Sequence, residues 1–383
     1  MRILYISNAN KMAGAGIALL NMIKGVREAG HEVLVAVTSD NGEFPDVLQD
    51  LGFPLVRCSF RMSIYPIRGK WWEYIPRVFK MVLDNDRGRA QLRKIILEFK
   101  PDIVHTNVGP LDAAFDVCQQ LGVKHVWHLR EYQVDMCFFP ARTCFLKKIR
   151  SRGNYNICIT PGVMRYFGLK GCAESRVIFD GVLSEKDVPV QLPVIKEKYV
   201  LFVGRIEPQK GPLDLLRVFA KFHQFCPDYH LRLVGLFRSE SPYYKECLSL
   251  VSKEGLEDVV EFLGEQKDVY QQMQHATMLV VPSHFEGFGF ITVEAMANGC
   301  PVIGRDTAGT KEQFDIGLEM SGAEIGLRFT NDEDCLRAML YVVNHPVDEM
   351  CQRARVTILQ CYTVERMLKE LLAFYKMIMS VKQ

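Results

Sequence analysis

The chain has 383 residues, 48% hydrophobic and 24% charged, the proportions of a water-soluble globular protein with two or three domains and ample core in each. A net charge of +2 provides no global field for nucleic acid. Twelve cysteines fall singly without a C-x-x-C, which argues against a disulfide scaffold or a zinc site and for reduced thiols in a cytosolic protein.

Met1 and Arg2 lead straight into an apolar strand over 2–7, so no signal peptide is expected, and no apolar run approaches the ~18 residues of a membrane span. A loop over 8–16 carries Gly14 and Gly16 into a helix over 17–29, stopped by Gly30, and a second strand follows over 31–37. The opening is Rossmann-like, but Leu19 holds the last glycine position of G-x-G-x-x-G, so a dinucleotide fingerprint is incomplete. A third strand is expected over 54–59.

Between Arg61 and Arg93, aromatics (Tyr65, Trp71, Trp72, Tyr74, Phe79) interleave with Arg61, Arg68, Lys70, Arg77, Lys80, Arg87, Arg89 and Arg93. That pattern suits an interfacial surface or acceptor groove, or an amphipathic helix with its aromatics packed inward. Asp84-Asn85-Asp86 has no strand before it and reads as a turn. Strands over 101–107 and 125–131 place polar groups, His128 among them, at C-terminal strand ends, where open α/β sheets bind ligands. A second apolar and basic stretch, 138–152, could dock on an anionic leaflet or a lipid phosphate, or be a solvated helix face. Strands over 156–160 and 177–182 precede a polar segment, 184–198, with Pro189 and Pro193, expected as the linker.

The second half starts with a strand ending at Gly204, then Arg205 and Lys210 before a helix N-terminus, a cationic clamp for a diphosphate. Another strand ends at Gly235. Apolar 278–281 stops at Pro282 and is followed by the loop His284 to Gly289 and a helix from about Phe290, ended by Asn298-Gly299. Strand, glycine-rich loop and helix favour an anion, while Glu286 and Glu294 suit hydroxyl groups attached to it, as on a sugar and a ribose. Helices over 332–343, 348–361 and 364–380 finish the chain.

Glu286 and Glu294, set in E-G-F-G-x-x-x-x-E-A-M-A-x-G-x-P-V-I, resemble the E-x7-E motif of retaining glycosyltransferases of family 4. Arg205 and Lys210 resemble that family's G-R-x-x-x-x-K-G, and the 177–182 stretch resembles V-I-x-N-G-V with Asp180 in place of Asn. The resemblance spans nearly the whole chain and is most specific over 200–312. It implies an α/β protein of the GT-B fold, two Rossmann-like domains facing a central cleft: an acceptor domain over 1–183, with a final helix (362–383) crossing back onto it, a linker over 184–198, and a nucleotide-sugar domain over 199–361.

It further implies retaining, metal-independent glycosyl transfer from a UDP- or GDP-sugar co-substrate, with no cofactor, to a saccharide or lipid-linked acceptor in cell-surface polysaccharide synthesis. Catalytic roles fall to His128, Glu286, Arg205 and Lys210. Donor contacts fall to these last three with Gly14, Gly16, Gly204, Gly235, Gly287, Phe288, Gly289, Phe290 and Glu294, with no metal ligands. The expected place is cytoplasmic, with the inner face of an anionic membrane as a candidate contact and no nucleic-acid partner. The alternatives are a non-catalytic nucleotide-sugar-binding protein, which should lose the groups facing the sugar, and a UDP-sugar epimerase, which typically lacks E-x7-E.

Overall fold

The structure, a computed structural model, describes residues 1–12, 14–39, 41–66, 71–134, 136–193 and 195–381. Arg68 and Lys70, named above, lie outside the described residues. Two compact units emerge: Met1–Gly181 with Val364–Gln383, and Val182–Thr363. No helix among the described residues is long and apolar enough to cross a membrane.

The first unit contains β1 (Arg2–Ser7), β2 (Glu32–Val37), β3 (Leu55–Arg57), β4 (Ile64–Pro66), β5 (Ile103–Thr106), β6 (Lys124–Leu129), β7 (Met136–Phe138), β8 (Asn154–Cys158) and β9 (Ser175–Val177). Seven form a parallel sheet in the order β3-β2-β1-β5-β6-β8-β9, and β4 pairs antiparallel with β7. Parallel strands are covered on both faces, which is why β1 is an unbroken apolar run. Its period of two divides it between two cores: Ile3 and Tyr5 join Leu19, Ile23 and Leu371, whereas Leu4 and Ile6 join Leu92, Ile96 and Val117. The final helix, Val364–Ser380, buries Met367, Leu371, Phe374, Tyr375 and Ile378 in the first of these cores. Each such side chain stabilises by roughly 1.5–3 kcal/mol relative to exposure.

The second unit holds β10 (Glu197–Val203), β11 (His230–Val234), β12 (Val260–Gly264), β13 (Ala276–Val281), β14 (Val302–Arg305) and β15 (Leu327–Phe329). They form one parallel sheet ordered β12-β11-β10-β13-β14-β15. In each sheet the winding reverses once, between β1 and β5 in the first unit and between β10 and β13 in the second. The crevice at the C-terminal ends of those strands is where such sheets take ligands.

Four expectations are corrected. The first helix begins at Gly14, so Gly14 and Gly16 lie in its first turn, not in a flexible loop. Gly16 is there because a Cβ would sit 2.6 Å from the Lys11 carbonyl oxygen, closing the 8–12 segment against the helix. Asp84-Asn85-Asp86 is not a turn but the middle of the helix Ile75–Phe99. Asn85 is buried there and satisfied from outside, its Oδ1 accepting from the Arg61 N–H at 2.7 Å, so it does not compete with the helix backbone. The strand expected over 177–182 is Ser175–Val177; the chain then leaves the sheet and Asp180 turns to a buried arginine. β10 starts at Glu197, inside the segment expected as polar linker.

Candidate functional site

In the second unit, the loops after β10 and β13 meet at the reversal point. Lys210, at the end of the 3-10 turn Pro208–Lys210, donates to Glu286 Oε1 at 2.6 Å, and Ser283 Oγ donates to the same oxygen at 2.7 Å. The pair is 25% and 14% exposed, so water screens it less than a surface ion pair. Oε2 of Glu286 takes no hydrogen bond among the described residues, and two of the three ammonium donors of Lys210 are unused by Glu286. Backbone contacts fix the two loops together: the His284 N–H donates to the Gln209 carbonyl at 2.9 Å. At Gly211 (φ +69°) a Cβ would lie 2.5 Å from the Pro282 carbonyl, so only glycine permits this approach.

Gly289 caps the helix Phe290–Ala297 in the left-handed region, and Gln313 Nε2 holds the turn by donating to the carbonyls of Phe288 (2.7 Å) and Gly289 (3.1 Å). Glu294, one turn into this helix, accepts from the Tyr270 hydroxyl at 3.3 Å. Burial pushes its carboxyl above the usual range, and the Tyr270 bond opposes that shift. Gly204 and Gly235 directly follow β10 and β11, their N–H groups bonded to Val234 and Gly264 carbonyls at 2.8 Å. Gly287 lies in the loop, and the Phe288 ring is buried against Phe290 and Tyr362, so Phe288 can offer a ligand only its backbone. Arg205 is not in the ion pair: it is exposed and bonded to Glu207 at 3.2 Å.

The first unit has its own polar cluster at strand ends. His128, near the end of β6, is fully buried, and its Nδ1 is 3.2 Å from His105 Nε2. His105 Nδ1 in turn is 2.5 Å from the hydroxyl of Tyr375 on the final helix, and that hydroxyl is 3.1 Å from Tyr5's. Arg130 donates to both carboxylate oxygens of Asp180 at 2.5 Å and to Asn107 at 2.9 Å, all buried. His128 Nε2 lies 4.0 Å from Asp180, and it and Arg130 Nη2 have no hydrogen-bond partner among the described residues. Among the described residues no group of three or more His, Cys, Asp or Glu is placed to hold a metal ion.

The sequence reading did not select Ser283, Tyr270, His105, Tyr375 or Gln313. Ser283 adjoins Pro282 at the mouth of the loop, and His105 stands at the end of a strand already singled out for its polar groups. Tyr270, Gln313 and Tyr375 come from distant helices and carried no local signal.

Burial lowers the imidazoles of His105 and His128 well below the ordinary value, with Arg130 adding to both, and pushes His125 down to about 4. Each ring is therefore neutral in the fold and takes a proton in the unfolded chain below about 6.5, so stability is present above that pH and falls as pH drops through it. Going from pH 7.5 to 6 should cost roughly 0.8 kcal/mol per ring, or roughly 2.5 kcal/mol in the first unit. All three tryptophans, at 71, 72 and 127, belong to this unit, so their fluorescence follows it in urea. An unchanged midpoint would show that the rings are protonated in the fold.

Two families match the chain in tandem. The "Glycosyl transferase 4-like domain" family covers residues 13–179, and the "Glycosyl transferases group 1" family covers residues 184–355. This chain belongs to the group 1 glycosyltransferases. Its two parallel sheets are the Rossmann-like halves of the GT-B fold. The Anabaena protein Alr3699/HepE, solved in complex with UDP, superimposes with a TM-score of 0.76 over 98% of this chain and 100% of that one, at 20% identity.

Among named relatives, the trehalose synthase of Pyrococcus horikoshii is 27% identical over 171 residues, 43% of this chain and 39% of that protein. The D-inositol 3-phosphate glycosyltransferase of Corynebacterium aurimucosum is 35% identical over 120 residues, 29% of this chain and 28% of that protein. The match thus spans well under half the length of either relative.

Proposed function

We propose that this group 1 glycosyltransferase moves a sugar from a UDP- or GDP-sugar to an acceptor hydroxyl with retention of anomeric configuration, without a metal ion or cofactor. The acceptor is a saccharide or a lipid-linked molecule of the kind used in cell-surface polysaccharide synthesis. The observation that carries this reading is the Lys210–Glu286 pair at the reversal of the second sheet, with Glu294 on the next helix. The UDP bound by the Anabaena protein of the same fold supports a nucleoside diphosphate ligand.

In this mechanism the unused ammonium donors of Lys210, the Arg205 guanidinium and the helix end at Gly289 stabilise charge as the sugar–phosphate bond breaks and the diphosphate leaves. Glu286, oriented by Lys210 and Ser283, accepts from sugar hydroxyls through Oε2. Glu294, oriented by Tyr270, accepts from the ribose diol. Within the first unit, His128, whose buried Nε2 has no partner among the described residues, is the residue assigned to a sugar contact. Gly204 and Gly235, after β10 and β11, let backbone lie near the phosphates.

Proton NMR of the sugar released from UDP-glucose or GDP-mannose gives the test. The donor's α-anomer should appear first and mutarotate later. First appearance of the β-anomer would overturn retention, and an isomerised nucleotide-sugar would instead indicate an epimerase.

A further inference from the structure

We propose that the first unit carries a binding site for the lipid-phosphate part of an acceptor, an amphiphile whose phosphate or diphosphate joins a hydrocarbon chain to the hydroxyl-bearing group that takes the sugar; this rests on the glycosyl-transfer reading above and names the class of its acceptor. A cavity of about 950 Å³ lies beside the reversal point of the first sheet. Asn8 and Thr38, which directly follow β1 and β2, and Arg57, which ends β3, line it at the strand ends where such sheets take ligands.

Its other wall is the helix Ile75–Phe99 and the segment before β4. Five cations line the cavity: Arg57, Arg61, Arg77, Lys80 and Arg87, against the single carboxylate of Asp84. Asp84 is committed to Arg61 at 2.5 Å. Among the described residues, Arg77, Lys80 and Arg87 have no carboxylate within ion-pair distance. Like charges gathered in a concavity repel one another unless an anion joins them, and phosphate oxygens are the acceptors that arginine forks fit.

The second basic stretch behaves otherwise. Lys148 is held by Asp112 and Asp116 at 2.8 and 2.7 Å, while Arg142 and Arg150 donate to carbonyls of 166–168. Those three charges serve the fold, and Lys147 and Arg152, the other cations of that stretch, do not line this cavity, so the anion site is assigned to the first stretch.

Adjoining the basic cavity is an apolar one of about 430 Å³, and Tyr65 and Val78 line both. Ile75 and Phe79 line its edge while remaining 53% and 65% exposed, and Leu83, 41% exposed, continues their stripe at helical spacing. The same helix buries Met81, Asn85, Gly88, Leu92 and Ile96 on its other face, so the 75-79-83 stripe is a separate apolar surface without a partner in this unit. A free diphosphate or a plain saccharide has no use for it. A flat membrane surface would also meet these exposed cations, and saturable binding of a single amphiphile is what separates the two. An amphiphile with a phosphate head uses both halves.

Calorimetric titration with farnesyl diphosphate, inorganic pyrophosphate and farnesol tests the proposal. Farnesyl diphosphate should bind at least ~10-fold more tightly than either half-probe, since charge-assisted bonds and chain burial then act together. Arg77→Glu/Arg87→Glu should reduce it to the level of farnesol, and Phe79→Asp to the level of pyrophosphate. All three side chains are exposed, so the variants should fold. Pyrophosphate binding as tightly as farnesyl diphosphate would overturn the proposal, as would unchanged affinity in the double variant. Binding of phosphatidylglycerol vesicles without saturable binding of farnesyl diphosphate would overturn it in favour of a membrane surface. Thermal stabilisation by UDP or GDP in the same samples separates the two readings. If it is present and the lipid probe fails, only this proposal falls; if it is absent while the probe binds, the transferase reading falls.

Discussion

Lys210→Ala is expected to lower the rate of sugar release from the donor by 10²–10³-fold, about 2.7–4 kcal/mol of transition-state stabilisation. In the proposed mechanism the ammonium faces charge that grows as the diphosphate departs, so its removal should lower kcat more than it raises KM. Part of the loss comes from Glu286, which keeps only Ser283 once its 2.6 Å ion pair is gone and is no longer fixed toward the sugar. Lys210→Arg should recover little, because a planar fork does not reproduce a compact ammonium on a flexible stem. Steady-state kinetics on the saturable donor decides the matter: a raised KM with kcat unchanged would make Lys210 a ground-state binding residue only.

Arg130→Ala should destabilise the first unit by about 3–5 kcal/mol, because it leaves the Asp180 carboxylate buried without its cation and Asn107 without its donor. The double variant Arg130→Met/Asp180→Leu should recover most of that loss, since burying two apolar side chains is no worse than burying a matched ion pair. Urea unfolding followed by tryptophan fluorescence reads this unit alone, which matters because two units need not unfold together. A single variant with an unchanged midpoint would mean that the pair contributes nothing to the fold.

Much of this architecture was legible where local chemistry dictates structure. Strand β1 reads from its unbroken apolar run, the helix Phe290–Ala297 from the glycines before it and Asn298-Gly299 after it, and the final helix from its amphipathic period. The reading failed where tertiary contacts override a local signal. Asp84-Asn85-Asp86 has the composition of a turn, yet Asn85 is satisfied by the Arg61 backbone and the helix runs through it. Gly16 was expected in the loop before the first helix and instead lies in its first turn, where it lets a carbonyl approach.

The candidate site divides along the same line. Glu286, Glu294, Lys210 and the glycines around them lie in two short segments whose spacing could be read directly. Their orienting partners Tyr270 and Gln313, like Tyr375 behind His105, arrive through the sheet topology from helices without any sequence mark. Arg205 was legible as a residue type but not as a conformation, for an exposed arginine takes the carboxylate nearest to it, here Glu207.

The most direct test of the donor site is calorimetric titration of UDP, GDP and NAD into the wild type and Glu294→Ala. One of the two nucleoside diphosphates should bind, NAD should not, and Glu294→Ala should weaken the productive one by roughly 10–100-fold, the value of one or two hydrogen bonds to a carboxylate. Binding of NAD alone, or a nucleoside diphosphate affinity that is the same with and without the Glu294 carboxylate, would contradict the assignment of this loop and helix to a nucleotide-sugar.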